Sequence, residues 1–152
     1  MPTIESVRAI KDPGKRATQA AKIIRAARAR ADEARQERDA AAMSLHRHYN
    51  WGPVDVYRAI GVSRSAFVDI AERVGRIGKI SNAEQVMSRA AATVARNETL
   101  ANEAREVRDE AATGMLNGRY RKPGGGAYRN SEVAKCTGLT TARVAQLRQG
   151  RR

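Results

Sequence analysis

The 152 residues suffice for one ordinary domain or two very small ones, and 29 Lys+Arg against 16 Asp+Glu leave a net charge of +13. No apolar run approaches the length of a membrane span, Met1 to Ala20 lacks the apolar stretch of a secretory signal, and Cys136, the single cysteine, excludes an internal disulfide or a cysteine-only metal cluster. The expected setting is cytoplasmic, and the excess of cations suits a polyanion, because each phosphate they neutralise releases condensed counterions.

Only six of the basic residues are Lys, so the charge rests on guanidinium forks that match phosphate oxygens and guanine edges. Aromatics make up 4% of the chain and hydrophobic residues 41%, so the core is expected to be Ala, Val, Ile and Leu in closely packed helices. The predicted fold class is therefore all-α.

In chain order, Thr3 to Lys11 predicts a short helix ended by Asp12-Pro13-Gly14. Asp12 and Pro13 also make an N-cap and first-turn pair for a helix that continues to about His48. Along it Ile24, Ala27, Ala31, Ala34, Arg38, Ala41 and Leu45 alternate spacings of three and four, which places them on one face. That seam is too poor in bulky side chains for a strong independent coiled coil, so packing against another long helix of the chain is expected. Trp51 and Pro53 are expected to pack the entry to the next element.

Residues 53–74 carry a helix-turn-helix spacing, with Ile60 before the turn, Gly61, Val62 and Ser63 in it, and Phe67 and Ile70 after it. The glycine permits the left-handed turn, the serine caps the second helix, and the later apolar residues anchor it. Tyr57 departs from the pattern where a small residue is expected; it predicts a wider helix crossing or an outward ring.

The chain then repeats itself. Ala101 to Ala112 matches Ala31 to Ala42 at eight of twelve positions with an offset of 70, and Ile24 and Leu45 are matched by Val94 and Met115. The second seam reads Val94, Asn97, Ala101, Ala104, Arg108, Ala111 and Met115, on a helix predicted to begin at a Ser81–Glu84 capping box. Further on the offset becomes 77, so that Gly138, Leu139 and Thr140 repeat the earlier turn within a second helix-turn-helix at 130–149. Ala134, Val144 and Leu147 complete its spacing. The predicted architecture is two tandem repeats, 1–79 and 80–152, each a long helix followed by a helix-turn-helix, packed as a pseudo-dimer. The long helices are also a candidate homodimer interface.

Residues Ile10-Lys11-Asp12-Pro13, Arg38-Asp39-Ala40-Ala41 and Gly61-Val62-Ser63-Arg64, with Gly138-Leu139-Thr140 in the second copy, give the chain a resemblance to small helix-turn-helix DNA-binding proteins of actinobacteria, their phages or plasmids. The resemblance covers the first repeat nearly end to end and the second less fully. It implies transcriptional or replicon-associated DNA binding.

A recognition helix offers its N-terminal and outward residues to base edges. The candidates for base contact are Arg64, Ser65 and Asp69 with Val68 in the first repeat, and Thr141, Arg143 and Gln146 with Ala142 in the second. Arginine pairs with guanine and Gln146 with adenine; Asp69 suits only a cytosine amine or a neighbouring arginine. The phosphate candidates are Arg47, His48, Arg58 and Arg73 around the first motif, and Lys135, Arg148, Arg151 and Arg152 around the second. A third group lies in the insertion from Arg119 to Asn130, where Arg119, Arg121, Lys122 and Arg129 flank three glycines. This stretch reads either as a mobile arm that orders on phosphate or in a minor groove, or as an exposed loop without a partner.

Arg38-Asp39 and Arg108-Asp109 recur in both copies and are expected to form structural ion pairs. His46 and His48, two apart on a helix, face different ways, and no nucleophile–base constellation, phosphate-cradling loop or metal set is legible. No enzyme, metal site or cofactor is expected. The sequence reading is thus a sequence-specific double-stranded DNA binder, a transcriptional regulator with a bipartite site, its halves about one helical turn apart if the two motifs share a face. Plasmid or phage replication, partition or nucleoid DNA binding is the alternative use, and a helical assembly protein the alternative class.

Overall fold

The computed structural model describes residues Pro2 to Gly150. Among them it holds seven helices and no strand: α1 Ile4–Arg8, α2 Pro13–His48, α3 Pro53–Ala59, α4 Arg64–Val74, α5 Ala83–Leu116, α6 Asn130–Thr137 and α7 Thr141–Arg148. Contacts divide the chain into two compact units. A terminal unit joins Met1–Arg28 to Thr99–Arg152, and a central unit is Ala29–Glu98.

These bounds differ from the 79/80 division expected from the sequence, because each unit takes a segment from both long helices. The reason lies in the seams. Every apolar seam position from Ile24 to Leu45 and from Val94 to Met115 is buried, yet most are alanines that bury little area alone. Each segment therefore requires a facing helix, and small side chains let the two backbones approach closely. The seams are buried within the units, so the seam on which a homodimer through the long helices would rely is already covered.

In the central unit, Ala41, Ala42 and Leu45 of α2, Val56 of α3 and Ile60 at its end, Phe67 and Ile70 of α4, and Ala83 and Met87 of α5 form one core. Arg35 meets Glu98, and Arg89 meets Glu37 at 3.2 Å, tying the α2 and α5 segments along their exposed edges. Asp39 is the buried charge of this unit, 1% exposed. Its carboxylate accepts from Arg38 at 2.7 and 2.9 Å and from Arg73 at 2.5 Å. It therefore braces α2 to α4. Ser44 Oγ accepts the Ile80 amide at 2.9 Å, and His46 Nδ1 donates to the Trp51 carbonyl at 2.8 Å, which fixes the entry to α3.

In the terminal unit, Ile4 and Val7 of α1 pack on Ala20, Ile23 and Ile24 of α2 and on Ala104 and Val107 of α5. A second cluster joins Ala17 to Ala111, Met115, Val133 and Val144, and so seats α6 and α7 on the long helices. Ala17 meets the end of α5 and Ile24 an earlier stretch of it, so the two segments run antiparallel. Thr18 Oγ1 donates to the Cys136 carbonyl at 3.0 Å, a direct tie from α2 to α6.

Three local features bear on the expectations from sequence. The helix of the second repeat begins at Ala83, two residues after the predicted capping serine, because Asn82 enters it in the left-handed region at φ 55°. Tyr57 does not turn outward: it is half-buried, with its ring centroid 6.4 Å from that of Phe67. The Arg119 to Asn130 insertion has a defined course. Lys122 and Gly125 close a turn over Pro123 through a 2.9 Å bond, and the Tyr120 amide donates to the Gly114 carbonyl at 2.9 Å. The Tyr120 ring lies so close over Gly114 that a Cβ there would sit 2.3 Å from Cε2. Arg16 and Arg119 stack on the ring, each guanidinium about 5.5 Å or less from its centroid.

Candidate nucleic-acid interface

Two short helix pairs share one local design. Gly61 and Gly138 take φ 69° and 68°, a left-handed turn that a β-carbon would strain, and each turn is followed by a hydroxyl cap. Ser63 Oγ accepts the Ala66 amide and Thr140 Oγ1 the Arg143 amide, both at 3.2 Å. Such caps satisfy a first-turn N–H and set where the second helix begins. Phe67 and Ile70 anchor α4 from below, and Val144 anchors α7.

The opposite faces are open. On α4, Arg64, Ser65, Val68 and Asp69 are exposed; on α7, Thr141, Ala142 and Gln146 are exposed and Arg143 is half-buried. Arg143 donates to Gln146 Oε1 at 3.2 Å, so the two α7 candidates are held side by side. Arg143 also borders a cavity of about 760 Å³ with Arg105, Glu106, Asp109 and Glu110 of α5. On α4 the Ser65 hydroxyl lies 3.0 Å from the Ser63 cap.

The phosphate candidates separate into two groups. Arg58, Lys135, Arg129 and Arg148 are exposed and form no ion pair among the described residues. Others have internal partners. Arg47 donates to the Gly75 and Ala71 carbonyls and closes the end of α4, and Arg73 pairs with Asp39. His48 Nε2 donates to the Ile77 carbonyl at 2.9 Å. In the insertion, Lys122 pairs with Glu132 at 2.6 Å, Arg119 lies 3.9 Å from Glu110, and Arg121 reaches the Gly125 carbonyl at 3.3 Å. Arg151 and Arg152 lie outside the described residues. The Lys122 hydrogen bond, and then the Arg129 amide, hold the Glu132 carboxyl below its ordinary range. This tie is fully present above the usual carboxylate pKa and is lost as pH falls through the lowered value.

Sequence reasoning missed how charge is distributed. By sequence the two repeats share it evenly: 16 Lys+Arg and 9 Asp+Glu in 1–80, 13 and 7 in 81–152. The folded units do not. The terminal unit holds 18 Lys+Arg against 7 Asp+Glu, and the central unit 11 against 9. The excess of cations thus lies almost wholly on the unit that carries α6 and α7.

Cys136 is a structural thiol in this setting. It is half-buried on α6, donates to the Glu132 carbonyl at 3.1 Å, and burial pushes its pKa up. With iodoacetamide at pH 8 the folded protein is expected to react about tenfold slower or more than the urea-unfolded chain, as followed by mass spectrometry.

No protein-family model matches the chain, and no curated protein or solved structure matches it either.

Proposed function

We propose that the chain is a sequence-specific double-stranded DNA-binding protein in which α7 is the principal recognition helix and α4 the second. The two helix pairs act as a covalent pseudo-dimer made from the tandem repeats, each reading one half of a bipartite site. One observation carries this reading: an exposed, capped second helix behind a left-handed glycine turn stands on a unit with 18 Lys+Arg against 7 Asp+Glu. Charge supplies affinity for any duplex, and the outward side chains of α7 supply discrimination.

The halves are unequal. Asp69 and Glu72 place two carboxylates on α4, in a unit close to neutral, whereas α7 carries Arg143 and Arg148 and no acid. The biological use is regulation of transcription, with plasmid or phage maintenance as the alternative. Selection of bound duplexes from a random library tests it. Two enriched half-sites are expected, the more constrained one altered by Arg143→Ala. A pool that stays random after repeated rounds would overturn specific reading.

A further inference from the structure

We infer that the first half of α2 is a second DNA-backbone contact surface, formed by Lys15, Lys22 and Arg25, which extends the phosphate-binding edge of α6. This rests on the DNA-binding reading above and adds a site outside both helix-turn-helix elements.

The first observation is charge without compensation. From Pro13 to Ala31 the helix carries six Lys+Arg and no Asp or Glu. Its counterpart in the second repeat, 83–101, carries Arg89 and Arg96 with Glu84 and Glu98. A helix placed in water for its own sake is normally laced with both signs, because i,i+4 pairs stabilise it and like charges one turn apart destabilise it. The α2 segment forgoes those pairs. Arg16 alone among the five cations of this segment in the terminal unit turns inward, donating to the Ile10 carbonyl at 2.9 Å. Lys15, Lys22, Arg25 and Arg28 are exposed and form no ion pair among the described residues.

The second observation is position. Thr18 touches α6 through the Cys136 carbonyl. Lys15, Lys22 and Arg25 stand three before, four after and seven after Thr18, spacings that share one helix face. Lys15 also borders, with Asp12, Tyr128 and Glu132, a cleft of about 560 Å³ between α2 and α6; the Asp12 carboxylate there is taken up by capping the Lys15 amide. The cations therefore rise on the same side as α6, whose exposed Lys135 adjoins Cys136. In helix-turn-helix docking the first helix crosses the DNA backbone, so a cationic rail beside it meets the phosphates that flank the site.

The test is a set of DNA titrations by fluorescence anisotropy at several salt concentrations, on wild type and on Lys15→Gln, Lys22→Gln and Arg25→Gln, singly and combined. Exposed side chains are replaced, and circular dichroism checks that helix content is kept. Each single change is expected to reduce the slope of log K against log salt by about one unit, and the triple variant by about three. The loss should be equal on preferred and random duplexes. Arg96→Gln, on the other long helix, should leave the slope unchanged. A triple variant with the wild-type slope would overturn the second surface while leaving recognition by α7 standing. A wild-type protein that binds no duplex would overturn both.

Discussion

Asp39→Ala is expected to lower the free energy of unfolding by about 3 kcal/mol, measured as a shift in the urea midpoint. The carboxylate is 1% exposed and accepts three charge-assisted hydrogen bonds from Arg38 and Arg73. Removing one partner of a buried pair leaves the other cation desolvated without compensation, which typically costs 3–5 kcal/mol. The low end applies because the Arg73 side chain is 66% exposed and can turn to water, whereas Arg38, at 12%, cannot. The equivalent change in the second repeat, Asp109→Ala, should cost only about 0.5–1 kcal/mol. Asp109 is 31% exposed, and among the described residues its carboxylate pairs with the adjacent Arg108. Equal losses at the two positions would refute the brace.

The second large effect is on recognition. Arg143→Ala is expected to weaken binding to the preferred duplex by about 10- to 100-fold, to relax the preference at one base pair, and to change binding to random DNA little. A bidentate contact to guanine contributes about 1–3 kcal/mol of discrimination, and on the proposed reading the Gln146 bond pre-orders the guanidinium that would make it. Arg148→Ala, in the last turn of α7, should instead weaken all duplexes alike and lower the salt slope by about one unit. On α4, Arg64→Ala should have the smaller effect, since Asp69 and Glu72 repel phosphate on the same helix. If Arg64→Ala abolished specificity and Arg143→Ala did not, the order of the two readers would be reversed.

Much of the local structure was legible in the residues. Asp12 caps the Lys15 amide at 2.7 Å, as the Asp12-Pro13 pair predicts, and α2 spans Pro13–His48 as its unbroken pattern implies. Both glycine turns and both hydroxyl caps stand where spacing placed them, because caps and left-handed turns are decided by residues a few positions apart. The paired Arg-Asp motifs are ion pairs in the structure, again a local matter.

What depends on tertiary pairing was not legible. Arg47 is a surface arginine by sequence, yet it closes the end of α4 twenty-eight residues away by donating to the Gly75 carbonyl. Asn82 displaces the start of α5 through a backbone conformation that no pattern of Ser81 and Glu84 discloses. The largest miss concerns the units. Repeats that are even in charge along the chain become uneven once the acid-free start of α2 joins the second repeat's α6 and α7. That redistribution sets the excess of cations beside the second motif, which the residue pattern alone did not disclose.

The most direct measurement is hydroxyl-radical footprinting of the full chain on a duplex recovered by selection, repeated across a range of salt. The proposal predicts two protected segments of unequal strength, the stronger lost with Arg143→Ala, and protection that fades steeply as salt rises. A uniform or absent footprint at low salt, with the protein folded and its oligomeric state unchanged by DNA, would contradict it.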